Sequence, residues 1–152
     1  MAALHFAVFI LLRCILQRIL AVDFGMRRVG LAVSDALGLT AQGLLTQKVS
    51  GPNQAVEVVV EASCQWQVGR IVVGMPLNMD GSKGDMARIV ESFIANLLEK
   101  TGLPVSEWDE RLTSVYAHRV LQASGQKSRG QKGAIDRIAA TLLLESYIES
   151  LS

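Results

Sequence analysis

Cysteine is nearly absent from this 152-residue chain: only Cys14 and Cys64 occur. Two thiols so far apart form neither a disulfide framework nor a zinc-type ligand spacing. They read as reduced thiols of a cytoplasmic protein, with Cys64 packed on a helix. An excess of charge of either sign is also missing. Fifteen Lys and Arg against fourteen Asp and Glu leave a formal net charge of +1, so any basic surface that grips a polyanion must be local. There is no internal repeat and no linker long enough to mark a domain boundary. No apolar run reaches the ~20 residues that span a bilayer. The longest, Ala2 to Leu12 (AALHFAVFILL), is followed by Arg13 and Arg18 instead of being preceded by basic residues, and no small-residue cleavage pattern follows it. Three readings of that run stand: an extra strand or helix, a membrane-associating tail, or an extension from a start codon placed too far upstream. The last is favoured, and no stable membrane association is expected. Residues 1–17 are therefore set apart from a single domain over 18–150.

What is present is a compact globular composition, 50% hydrophobic and 19% charged. Within Arg18–Asp35 two apolar, β-branched runs, the first of them Ile19–Val22, flank a basic turn with Gly25, Arg27 and Arg28, and predict a β-hairpin. Ile19 to Val22 is apolar at every position, as in a central strand covered on both faces. A third, edge-like strand is expected over Ala41–Lys48. A helix over Gln54–Val68 follows, with Asn53 as N-cap and Gly69 as stop. Arg70–Gly74 reads as a buried strand, and a crossover makes its pairing with the first strand parallel. Asp85–Lys100 reads as a helix with Met86, Ile89, Val90, Phe93, Leu97 and Leu98 as its apolar stripe. A strand over Val105–Trp108, a helix from Thr113 or Ser114 to Ala123, a basic loop (GQKSRGQKG, Gly125–Gly133) and a last helix over Ala134–Ser150 complete the chain. Ile135, Ile138, Ala139, Leu142 and Leu143 stand at core spacing in that last helix. The order predicts one α/β domain, a mixed five-stranded sheet with helices on both faces.

In such sheets, sites form at the carboxyl ends of strands. Asp23 ends the first strand, Glu110 follows the last, and Asp136 falls in the first turn of the final helix. If the first and last strands lie side by side, the three carboxylates meet. Clustered carboxylates raise one another's pKa values, and hard oxygen donors select Mg²⁺ or Mn²⁺, one or two ions, over zinc. Lys127, Arg129 and Lys132 lie just before Asp136, and Arg27 and Arg28 just after Asp23. This placement suits a nucleic-acid backbone beside a metal site. Arg111 either clamps a phosphate or neutralises a neighbour. Against this stands the plainer reading, in which Asp23 caps a turn and Glu110 and Asp136 pair with Arg111 and Arg137. His5 and His118 have no partner at ligand spacing, and Trp66 and Trp108 read as core residues.

Four segments, AVDFGMRRVGLAVSD, RIVVGMPLNMDGSKG, WDERLTSVYA and QKGAIDRIAATLLLESY, resemble in order and spacing the YqgF family, also called RuvX. The resemblance spans about Arg18 to Ile148 and implies a ribonuclease H-like fold. It implies an acidic metal site on Asp23, Glu110 and Asp136. The family's Gly-x-Pro loop falls on Gly74 and Pro76, its Asp-Glu-Arg on Asp109, Glu110 and Arg111, and its C-terminal Lys and Asp on Lys132 and Asp136. The segment before Arg18 departs from the family pattern. Two activities are implied: a nuclease maturing the 5′ end of pre-16S rRNA, alone or on a ribosomal particle, and a Holliday junction resolvase, which would be a symmetric homodimer. The first does not require more than a monomer. A nucleotide-binding module and a non-catalytic RNA-binding factor are the readings from other classes.

Overall fold

The computed structural model describes the backbone of residues 1–15, 17–111, 113 and 132–152, and the side chains of these except 9–15 and 132. The elements in order are α1 (Ala2–Ile15), β1 (Arg18–Phe24), β2 (Arg28–Ser34), β3 (Ala41–Gly43), β4 (Gln47–Lys48), α2 (Pro52–Gln65), β5 (Val68–Met75), α3 (Asp85–Thr101), β6 (Val105–Asp109) and α4 (Lys132–Ser150). The expected helix from Ser114 to Ala123, the loop residues Lys127 and Arg129, His118 and the side chains of Cys14 and Lys132 lie outside the described residues.

One mixed sheet runs in the order β3-β2-β1-β5-β6, with β4 also on β2. β1 pairs antiparallel with β2 and parallel with β5, and β5 pairs parallel with β6. The fully apolar run of β1 is explained by what covers it. Leu20, Val22 and Phe24 pack on one face with Val56 and Val59 of α2 and Val90, Phe93 and Leu97 of α3. Ile19 and Ala21 pack on the other with Ala140, Leu143, Leu144 and Tyr147 of α4. Helices on both faces and a crossover to a parallel β5 are as the pattern predicts.

The differences have local causes. The third strand is two short ones, so the sheet has six strands, not five. The chain leaves the edge at Leu44–Thr46, where α4 holds it: Arg137 Nε donates to the Leu44 carbonyl at 3.1 Å and Thr46 Oγ1 to the Gly133 carbonyl at 2.7 Å. The helix expected over Gln54–Val68 begins earlier, with Pro52 in its first turn and Gly51 instead of Asn53 as N-cap. It ends before Val68, because Gln67 takes a left-handed φ of 52° and turns the chain into β5, which absorbs Gly69. Cys64 lies on α2 but is exposed. Leu98 is also exposed, and the buried stripe of α3 is Ala87, Val90, Phe93 and Leu97. The buried face of α4 is Ala139, Ala140, Leu143, Leu144 and Tyr147, rotated from the expected one. Trp108 packs edge-to-face on Tyr147 at 5.4 Å and donates to Ser146 Oγ. Residues 2–15 form a helix whose first half is exposed, and no helix among the described residues is long and apolar enough to cross a membrane.

α3 stops at Gly102, which sits at φ 66° with open space around its Cα. Only glycine takes that conformation without cost. Gly102→Ala is expected to destabilise the fold by about 1 kcal/mol, lowering the melting temperature by roughly 2–4 °C for a domain this size. An unchanged melting curve would refute the strain.

Candidate metal and nucleic-acid site

Side chains alternate between faces along a strand, so Asp23 points away from the α2–α3 core and toward α4. Its cross-strand neighbour on β2 is Gly30. On β5, one step beyond the Val22–Val73 pair, its neighbour is Gly74, which in turn pairs with Trp108. Asp23 therefore stands between two glycines on the face that α4 covers. A Cβ at Gly30 would collide with the backbone carbonyl of Asp136, and a Cβ at Gly74 would collide with Glu110 Oε2 and with Leu143 Cδ1 at 2.7 Å. The two empty positions are filled by the two other acids.

This geometry corrects one expectation. β1 and β6 are not neighbours, because β5 lies between them. Glu110 reaches Asp23 only by crossing β5 above Gly74. Asp136 is likewise not in the first turn of its helix, which starts at Lys132. It is brought over the sheet by the close approach of α4 to Gly30.

Burial pushes the Asp23 carboxyl up to about 8, with the charges of Glu110 and then Asp136 adding to the effect. Burial, followed by the charge of Asp109, also raises Glu110. Among the described residues no hydrogen bond or ion pair reaches either side chain. Asp136 is partnered: Arg28 Nε donates to its Oδ2 at 2.9 Å. Arg28 thus closes on an acid of the site. Arg111 pairs with Asp109 at 2.6 Å, not with Glu110, and donates to the Met79 carbonyl at 3.3 Å, tying the strand end to the 76–84 loop. Arg27 is exposed. The Arg28 carbonyl lies 2.6 Å from where a Cβ of Gly25 would sit, so Gly25 closes the turn. The plainer pairing of Glu110 and Asp136 with Arg111 and Arg137 does not occur.

The residues fit a hard cation by donor chemistry, since Asp23 and Glu110 are half-buried carboxylates with raised pKa values and no hydrogen-bond partner among the described residues. Among the described residues, however, no three His, Cys, Asp or Glu side chains are gathered closely enough to enclose a metal ion. One oxygen of Asp136 is held by Arg28.

A family model described as "RuvX: Holliday junction resolvase" matches residues 17–150. The chain belongs to the RuvX family. A Halothermothrix orenii protein named "Putative pre-16S rRNA nuclease" is 42% identical over 132 residues, covering 87% of this chain and 94% of its own length. A Syntrophus aciditrophicus protein of the same name is 39% identical over 136 residues, covering 90% and 91%. Among solved structures, Thermus thermophilus RuvC in complex with a Holliday junction substrate superposes with a TM-score of 0.55 at 15% identity, covering 90% of this chain and 96% of that one. The fowlpox virus resolvase superposes at 0.51 and 16% identity, covering 88% and 98%. These likenesses show the fold, and the RuvX chain has the ribonuclease H-like arrangement that the sequence resemblance implies. Sequence reasoning did not read the close approach of Asp136 at Gly30 or of Glu110 at Gly74, which it named only as part of the Gly-x-Pro loop. The available signal was glycine inside a strand, which marks close approach of another group.

Proposed function

We propose that this protein is a metal-dependent phosphodiesterase acting on nucleic acid, and that its substrate is the 5′ end of pre-16S rRNA. The observation that carries the reading is the Gly30–Asp23–Gly74 row, whose missing side chains let Asp136 and Glu110 approach on either side of the half-buried Asp23 carboxylate. The names carried by relatives about 40% identical support the RNA substrate. Asp23, Glu110 and Asp136 would hold a Mg²⁺ or Mn²⁺ ion, with Asp136 shared between that ion and Arg28. When bound, such a cation offsets the carboxylate repulsion and supplies positive charge for the phosphate oxygens. The chain's own residues do the rest. The glycine row seats the acids, α4 and the sheet exclude water from one side, and the cations Arg27, Arg28, Lys127, Arg129 and Lys132 hold the strand by its phosphates.

The test is a cleavage assay in Mg²⁺ or Mn²⁺ with a 5′-extended 16S precursor fragment, a four-way DNA junction and plain single strands. Cleavage of the precursor, lost in Asp23→Asn, is the expected result. Cleavage of the junction alone by a dimer would replace this reading with resolution of recombination intermediates. Intact binding without cleavage by either protein would make it a binding factor.

A further inference from the structure

Beside the carboxylates lies an open cavity of about 490 Å³ lined by Arg27, Arg28, Lys48, Val49 and Ser50. Three of its five lining residues are cations, and none is an acid. The register places Lys48 directly opposite Arg28 on the antiparallel β2–β4 pair. Like charges in that position destabilise a sheet. Arg28 is answered by Asp136, but among the described residues no carboxylate pairs with Lys48 or Arg27. The walls are set by backbone, since Val49 N–H donates to the Arg27 carbonyl at 3.0 Å while Val49 itself is buried. Ser50 and Lys48 are exposed. Ser50 uses its N–H on Gln54, and no hydrogen bond of its hydroxyl occurs among the described residues. A ready hydroxyl and uncompensated cations around a cavity are the chemistry of a phosphate site.

We infer that this cavity binds a backbone phosphate of the nucleic-acid strand, away from the bond that is cut, with Lys48, Arg27 and the Ser50 hydroxyl as its contacts. The inference rests on the nucleic-acid reading above and deepens it. Arg28 lines the cavity and also bonds Asp136, so one side chain joins the two places. Arg28 is two residues along β2 from Gly30, or about 7 Å. A phosphate in the cavity competes with Asp136 for Arg28, so docking of the strand frees the third carboxylate.

The test measures binding in an Asp23→Asn background, where substrate is not consumed, with the 5′-extended precursor fragment as probe. Lys48→Ala and Arg27→Ala should each weaken binding and reduce the slope of log affinity against log salt by roughly 0.7 for a single strand. A neutral methylphosphonate is then scanned along the probe. At one position, away from the cut, it should weaken binding to the Asp23→Asn protein several-fold and have no further effect on the Lys48→Ala variant. Unchanged affinity in both variants, or full additivity of the Lys48 and methylphosphonate effects at every position, overturns the inference. Thermal stabilisation by inorganic phosphate that Lys48→Ala abolishes, with oligonucleotide binding unchanged, would make the cavity a free-anion site and also overturn it. The cleavage reading fails separately: no cleavage by the native protein, with Lys48-dependent binding intact, removes the nuclease and keeps the phosphate site.

Discussion

Asp23→Asn is expected to cut cleavage by roughly a thousandfold or more, the scale set by losing one preorganised group at a reacting centre, and to make the metal-free protein more stable. The second effect follows from the raised pKa. In the unfolded chain Asp23 ionises near 3.8, and in the fold near 8. Between those values the folded state holds a proton that the unfolded state has released, so stability falls as pH rises through the window and levels off above it. Asparagine never ionises and escapes the loss. The gain should be absent near pH 4 and complete by about pH 8, on the order of a few kcal/mol. For a domain of this size that is roughly 2–4 °C in melting temperature per kcal/mol. Mg²⁺ or Mn²⁺ should reverse the ranking, stabilising the native protein by about 2.7 kcal/mol at a hundredfold excess over its Kd and leaving the variant unmoved. Melting curves at several pH values, with and without Mn²⁺, check both signs. Parallel curves for the two proteins at every pH would mean that Asp23 ionises freely in the fold.

Gly30→Ala and Gly74→Ala should fail in different ways. At Gly30 the added methyl meets the backbone carbonyl of Asp136 and the Asp136 carbonyl carbon at 2.9 Å. Neither can rotate away, so α4 must lift from the sheet. Overpacking of this kind costs about 3 kcal/mol, or roughly 6–12 °C in melting temperature. At Gly74 the methyl meets the ends of two side chains, Glu110 and Leu143, which can shift. The fold should lose about 1 kcal/mol, while displacement of the Glu110 carboxylate lowers cleavage roughly a hundredfold. Thermal melts and cleavage rates for both variants separate the two cases. A Gly74→Ala protein with native activity would show that Glu110 is not held by that gap.

The hairpin, the crossover to β5 and the α3 helix were legible because each announces itself locally. Ile19–Val22 has no polar position, Asp85–Thr101 carries a helical apolar stripe with a glycine stop, and Arg70–Gly74 follows a helix. The three acids were legible as strand-end or helix-start residues. Their assembly was not. Strand order is a tertiary fact: adjacency of β1 and β6 was only a condition for the acids to meet, and β5 takes that edge of β1. Glu110 reaches the site because Gly74 lacks a side chain, a consequence of register that spacing in sequence does not carry. The Arg28–Asp136 pair spans 108 positions, which put the partner of Arg28 beyond any local pattern. The edge strand broke in two because residues of α4, distant in sequence, hold Leu44 and Thr46.

The order in which the acids lie along the chain has a bearing on folding. Asp23 sits on the first strand and Asp136 on the last helix, and the Arg28–Asp136 bond closes a loop of nearly the whole domain. Contacts of such long sequence separation form late, because closing the loop costs entropy before any packing rewards it. Chains emerging from the ribosome fold from the amino end. The sheet strands β1, β2 and β5 can therefore pair while α4 is still being made, and a nascent chain in that state carries Asp23 without its third carboxylate. Docking of α4 onto the Gly30–Gly74 face completes the core and gathers the proposed carboxylates in one step, so under the proposed function cleavage waits until α4 has been made and docked.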